Sequence, residues 1–144
     1  MTWATDRLDA LRAERVEPPP VVRTLQLGLL DEWSAGLVKK RWLPNGDLLN
    51  GDGTLFGGYI AALADQMLGF AAMSVVPEGS AFRTINLNVQ FFRVGKAHPL
   101  NIEARVTAGT KAMITAEVDF KRDDGELIAR ASAQQIVVPF PSGG

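Results

Sequence analysis

The sequence predicts an α+β domain in which a curved antiparallel β-sheet wraps around one long central apolar α-helix. Three observations predict it. Leu55 to Val76, "LFGGYIAALADQMLGFAAMSVV", is apolar on nearly every side and carries a single charge near its middle, Asp65. A helix of that kind is buried by its own protein or spans a membrane. Downstream, long segments alternate apolar and polar residues, as half-buried strands do. Short turn-forming stretches separate them, as expected between antiparallel neighbours.

In chain order, Thr2 to about Val16 reads as an amphipathic helix with Ala4, Leu8 and Leu11 on one stripe. Pro18-Pro19-Pro20 stops it, because proline lacks the helical donor. "VVRTLQLGLLDEW" fits a short helix or a strand, and "SAGLVKKRWL" fits a strand. Pro44 to Thr54, with three Gly and two Asn, is turn-rich. The apolar run follows. Gly57, Gly58 and Gly69 weaken it as a membrane span, and Asp65 at a bilayer centre would cost about 2.5–3.5 kcal/mol. It is therefore assigned to the protein interior.

The strands come next. "AFRTINLNVQFFRV" places Ile85, Leu87, Val89 and Phe91 on one face, with Thr84, Asn86, Asn88 and Gln90 on the other. "LNIEARVTA" turns Leu100, Ile102, Ala104 and Val106 inward. "AMITAEVDFKR" does the same with Ile114, Ala116, Val118 and Phe120, leaving Thr115, Glu117 and Asp119 outward. "ELIARASAQQIVV" is a fourth, less regular strand. "AGTKA" and "RDDGE" are tight hairpins, the second through Asp124-Gly125. Strands joined this way make an antiparallel meander. No internal repeat or linker interrupts the chain. One domain spans 1–144: an N-terminal helix and proline stop over 1–20, a core over 21–140 and a tail over 141–144.

Composition narrows the chemistry. The chain has 144 residues, no cysteine, one histidine and a formal net charge of −1. A disulfide framework, thiolate metal sites and a cysteine nucleophile are excluded. One histidine, His98 beside Pro99, gives neither a histidine-rich metal site nor a Ser-His-Asp triad, so no metal is expected. The charge gives no electrostatic case for nucleic acid. The first twenty residues lack an apolar signal region, and the expected location is the cytoplasm.

The stretch "NGDGTLFGGYIAALADQMLGFAA", followed by a long strand and hairpins, resembles the hotdog-fold thioesterases of the phenylacetate-pathway (PaaI-like) type. That family has an Asn, a Gly-rich loop, a His-Gly-Gly opening the central helix and an Ala-Asp about eight residues on. Asn50, Gly57-Gly58 and Ala64-Asp65 match in order and spacing, and the resemblance covers about residues 22–138. Two positions depart from it. Phe56 stands where the family usually has the His. Arg83, with Thr84 beside it, stands where many members carry a Ser or Thr that holds the attacking water. The resemblance implies a hotdog fold, an acyl-CoA thioester as substrate, no further cofactor, no membrane or nucleic-acid partner, and a homo-oligomer, either a dimer or a dimer of dimers. It also implies that Asn50 orients water or substrate, and that Phe56 and Gly58 border the substrate.

The residues themselves support the chemistry. Gly57 opens the helix, so its N–H has no intrahelical acceptor. It lies at the positive end of the helix dipole, and glycine lets a ligand approach the backbone. Together these suit an oxyanion donor. Asp65 is then a general base for water or a direct nucleophile. Packing among Ala61, Ala64, Leu68 and Ala72 would raise its pKa, and nearby donors would lower it. At about 1.5 Å per residue, Gly57 and Asp65 lie roughly 12 Å apart along the axis. Reacting atoms must come within about 3–3.5 Å. One chain therefore does not complete a site, whereas a two-fold dimer with antiparallel helices completes two.

Plainer readings stand beside these. Asp65 could be a structural carboxylate, the glycines could serve close packing, and Asn50 could shape a turn. Phe56 could be core or pocket wall, as could Tyr59, Met67 and Phe70. Lys39-Lys40-Arg41, Arg93 and Lys96 read as solvated charges, some of which could meet coenzyme A phosphates. The expected function is thioesterase action on small or aromatic acyl-CoA. The alternatives are a non-catalytic acyl-thioester-binding hotdog protein and, less well served by the misplaced His98, a hydratase or dehydratase.

Overall fold

The computed structural model describes residues 1–140, so the expected tail over 141–144 lies outside it. Helix α1 spans Trp3–Arg12. Thr2 caps it reciprocally: the Thr5 amide donates to Thr2 Oγ1 at 3.1 Å, and the Thr2 amide donates to Thr5 Oγ1 at 2.9 Å. Ala4, Leu8 and Leu11 are its buried stripe. It ends before Val16 because Glu14 turns left-handed at φ 55. The Arg15 amide then closes on Ala10 O at 2.8 Å, which satisfies the last turn without a glycine. Helix α2, Pro20–Thr24, takes Pro20 as its first residue, where the missing N–H costs nothing.

Of the segment that fits a short helix or a strand, the start forms α2 and the end joins Ser34 in strand β1, Glu32–Ser34; a turn at Gly36 (φ 80) leads to β2, Leu37–Trp42. A turn-rich stretch with one 3-10 turn at Gly46–Leu48 leads to the central helix α3, Gly57–Met73. Then come β3, Ser80–Phe91, β4, Leu100–Gly109, β5, Met113–Arg122, and β6, Leu127–Pro139. All six strands pair antiparallel in the order β1-β2-β4-β5-β6-β3. The meander is thus β4-β5-β6 only. Strand β3 does not pair with its successor but crosses to the far side of β6, and residues 92–99 carry the chain back. This leaves β3 as an edge of the sheet.

Helix α3 packs on the concave face. Leu63, Ala64, Met67, Leu68, Ala71 and Ala72 are fully buried against Ile102, Ala104, Ala116, Val118 and Phe120 from the sheet. Tyr59, Met67 and Phe70 belong to this core. α1 lies along the second half of α3, where Ala4 meets Ala72 and Val76. The outer face is polar. Asp119 stands on this outer face as the alternation predicts, yet it is buried, because Arg130 Nε (2.6 Å) and Arg105 Nη2 (3.2 Å) cover it. Burial alone would raise its carboxyl, but the two guanidiniums outweigh that and hold it low. Among the described residues no helix is long and apolar enough to cross a membrane.

One strand departs from simple alternation. The β3–β6 register shifts between Thr84 and Asn86, so Ile85 is the extra residue of a bulge. Ile85 was expected inward with Leu87 and is half exposed instead. Before the bulge the alternation inverts. Thr84 pairs with Gln135, as Leu87 pairs with Ala133, and directly paired residues share a face. Gln135 is fully buried and donates to Leu68 O of α3 at 3.1 Å. Thr84 therefore stands on the helix-facing side and Arg83 on the outer side.

Candidate active site

The loop before α3 is built by short-range bonds. The Asn50 amide donates to Thr54 O at 2.8 Å, and Gly53 N donates back to Asn50 O at 2.9 Å. The Asn50 side chain donates to Thr54 Oγ1 (3.0 Å) and to Leu55 O (3.3 Å). Thr54 Oγ1 in turn donates to Asp52 Oδ1 at 2.6 Å. Leu55 N donates to Gly95 O at 2.9 Å, tying the loop to the 92–99 connection. Asn50 thus shapes the loop that delivers the chain to the helix start.

Phe56 is the N-cap of α3 and offers no side-chain acceptor. Its carbonyl accepts from Tyr59 N (3.0 Å) and Ile60 N (3.2 Å). The N–H groups of Gly57 and Gly58 have no acceptor among the described residues, as the first turn of a helix requires when no side chain caps it. Both glycines lie under aromatic rings. A Cβ on Gly58 would collide with the Phe56 ring, and one on Gly57 would lie 3.2 Å from Phe91 Cζ. Phe56 is 54% exposed, so it is neither core nor a closed pocket wall in one protomer. A cavity of about 370 Å³ opens beside Gly57, walled by Leu55, Ile60, Phe91, Phe92 and Val94, with Arg93 at its edge. Arg93 is held by Glu126 at 2.6 Å. Alternation alone places Phe91 inward, but it is 53% exposed; the adjacent pair Phe91-Phe92 at a strand end is the sequence signal that a ring leaves the core.

Asp65 is exposed on the free side of α3. It has no hydrogen bond or ion pair among the described residues, and partial desolvation raises its pKa. Its neighbour Gln66 faces the other way. Gln66 Nε2 donates to Gly28 O at 2.7 Å, while its Oε1 accepts from Lys40 Nζ. Lys40 also donates to Leu27 O at 2.8 Å. It is 5% exposed, so it is not the solvated charge its sequence neighbours suggested. Burial lowers its pKa to about 7, against a smaller upward pull from Asp31. A neutral amine has two N–H donors, and two acceptors face it.

The structure thus gathers Asn50, Phe56, Gly57 and Gly58 at one end of α3 and leaves Asp65 about two turns away. His98 is exposed beside Pro99, Arg122, Asp123 and Asp124. Among the described residues no group of three or more His, Cys, Asp or Glu could hold a metal ion. A groove of about 440 Å³ on the outer face is lined by charges such as Lys39, Glu103, Arg105 and Asp119. Most of these pair with one another, and none belongs to the helix start.

The thioesterase superfamily profile matches residues 52–129, just over half of the 144 residues, and takes in the helix start, α3 and the strands through β5. The chain belongs to the thioesterase superfamily. Membership makes it a thioester hydrolase. No curated protein sequence matches this thioesterase. Among solved structures it is similar to a phenylacetic acid degradation-related protein from Ralstonia eutropha, at 24% identity and TM-score 0.79, over 90% of this chain and 98% of that one. A thioesterase family protein from Silicibacter pomeroyi is similar at 23% identity and TM-score 0.79, over 92% and 99%. A hypothetical thioesterase from Streptococcus pneumoniae, solved with coenzyme A, is similar at 22% identity and TM-score 0.70, over 78% and 87%. At these identities the likeness establishes the hotdog fold of this thioesterase.

Proposed function

We propose that this thioesterase hydrolyses small or aromatic acyl-CoA thioesters at a site shared between two copies of the chain. The observation that carries the reading is a separation. The free N–H of Gly57 and the unpartnered carboxylate of Asp65 sit on one straight helix, eight residues apart. A two-fold partner with its helix antiparallel supplies the missing half to each. Strand β3 supports this, because an unpaired edge with exposed Ile85 needs covering. The coenzyme A in the pneumococcal structure supports the substrate class.

In the proposed reaction the thioester carbonyl oxygen accepts from Gly57 N–H. Asp65 of the other copy takes a proton from water as the water oxygen bonds to the carbonyl carbon. Negative charge gathers on the carbonyl oxygen, where the amide and the helix dipole stabilise it. The C–S bond then breaks, the carboxylic acid forms, and the sulfur leaves as thiolate and recovers the proton. Alternatively Asp65 attacks directly and water resolves the resulting anhydride. Asn50 acts by fixing the loop, and Phe56 and Gly58 border the thioester. Of the two candidates on β3 for holding water, Thr84 has the helix-facing position. The groups named suffice without a cofactor.

A panel of acyl-CoA substrates, followed by release of free coenzyme A thiol, tests the reading; turnover of none of them would sink it. Binding without turnover is the second reading. It is favoured by the two rings that crowd Gly57 and Gly58 with no polar side chain at the helix cap. Saturable acyl-CoA binding without thiol release would select it.

A further inference from the structure

We propose that Phe91 sets the upper size of the acyl group. The inference rests on the acyl-CoA thioesterase reading and on the placement of one ring. The tip of Phe91 points at Gly57: Cζ lies 3.2 Å, Cε1 3.5 Å and Cε2 3.8 Å from where a Cβ there would be. The ring thus stands beside the amide that receives the carbonyl oxygen. An acyl group on that carbonyl that enters the adjoining cavity lies against the ring.

The setting makes the ring a divider. Phe91 is the last residue of edge strand β3 and pairs only with Ala129, so a single ladder holds its backbone. Its side chain is 53% exposed. Around it lies the cavity of about 370 Å³ with Leu55, Ile60 and Val94, near the low end of the roughly 300–1,000 Å³ of small-molecule pockets. On the other side Leu55 closes the floor: a Cβ on Gly95 would lie 2.7 Å from Leu55 Cδ1, so the loop and the 92–99 connection are in full contact there. Removing the Phe91 ring would enlarge this cavity directly beside Gly57. Phe56, equally exposed, borders Gly58 instead.

The test compares kcat/KM for acetyl-, hexanoyl- and dodecanoyl-CoA in the wild type, Phe91→Ala, Phe91→Leu and Phe91→Trp. The wild type should favour the shorter acyl groups. Phe91→Ala should raise the dodecanoyl-to-acetyl ratio about tenfold or more, the scale set by even one methylene in an apolar pocket. Phe91→Trp should lower the hexanoyl-to-acetyl ratio, and Phe91→Leu should fall between wild type and alanine. Variants of an active wild type that keep its ratios overturn this proposal alone. An equal loss on all three substrates also overturns it, since the ring would then support the site without sizing it. A wild type inactive on every acyl-CoA removes the thioesterase reading and this proposal together.

Discussion

Asp65 and Lys40 are both charged residue types on the α3 side of the sheet, and their surroundings differ in kind. Asp65 is exposed and unpartnered, so losing it removes no internal contact. Asp65→Ala should lower thioester turnover by about 10²–10⁴, the usual worth of a positioned base, while stability stays within about 0.5 kcal/mol, as for surface positions. Thiol-release assays with thermal melts check both halves, and near-wild-type turnover would remove Asp65 from the reaction. Because desolvation raises its carboxyl, activity should fall on acidification above the ordinary Asp value of about 3.9. Lys40 predicts a stability effect. Its folded pKa is lowered to about 7 by burial, whereas the unfolded chain keeps that proton to about 10.4. Between these values the unfolded state binds more protons, so stability rises with pH, by at most about 1.4 kcal/mol per unit. Near pH 10 Tyr59 opposes it, because burial raises the Tyr59 phenol and the unfolded chain ionises first. Urea unfolding from pH 7 to 10 should show the rise in wild type and not in Lys40→Met; equal slopes would mean Lys40 stays charged in the fold. Asp65 was legible in the sequence as a lone charge in an apolar run. Lys40 was not, because "KKR" reads as a solvated cluster, and only strand alternation turns its middle member toward α3.

At the scale of elements, α1 joins the core through tryptophan donors as well as its apolar stripe. Trp3 Nε1 donates to Ser80 O at 2.7 Å, and its ring meets Phe140 edge-on at 5.1 Å. Trp33 Nε1 donates to Asp9 Oδ1 at 2.9 Å. The helix thereby ties the start of β3 to the end of β6. Leu8 is fully buried beneath it, so Leu8→Ala should cost about 2–5 kcal/mol, the range for a leucine cavity. A shift in urea midpoint at unchanged slope would show it, and a loss below about 1 kcal/mol would mean that α1 is loosely attached. The Ala4-Leu8-Leu11 spacing made α1 legible, and period-two alternation did the same for β4 and β5. The bulge at Ile85 was not legible. An extra residue shifts register without altering composition, and "TINLNVQF" alternates equally well with or without it. That one residue decides whether Arg83 or Thr84 faces the helix. The crossing of β3 to the far side of β6 was hidden for a related reason. Alternation fixes which face is buried, while neighbours follow from tight turns, and the eight residues between β3 and β4 specify no turn.

At the scale of the whole molecule, the proposed shared site rests on helix geometry. No rotamer closes a gap of roughly 12 Å along a straight axis, so either the two groups belong to different reactions or a second copy brings them together. Complementation distinguishes these. One variant is Asp65→Ala. The other is Gly57→Pro, which deletes the proposed oxyanion donor at a first-turn position where proline is tolerated. Phe56 already has the extended geometry preferred before proline, φ −67 and ψ 124. The new Cβ sits 3.2 Å from Phe91 Cζ, and the half-exposed ring can yield the few tenths of an ångström required. Each homodimer should be nearly inactive. In the heterodimer one cleft joins the intact Gly57 of the first chain to the intact Asp65 of the second, and the other cleft carries both defects. Co-expressed and purified heterodimers should therefore recover up to about half the wild-type rate per dimer, by the count of sites under two-fold symmetry. Co-expression is used because obligate dimers often have no stable monomer through which subunits could exchange. If the two groups acted within one chain, every chain in the heterodimer would hold one defect and no rate would return. Heterodimers as inactive as their parents would thus refute the shared site while leaving the fold and the superfamily untouched.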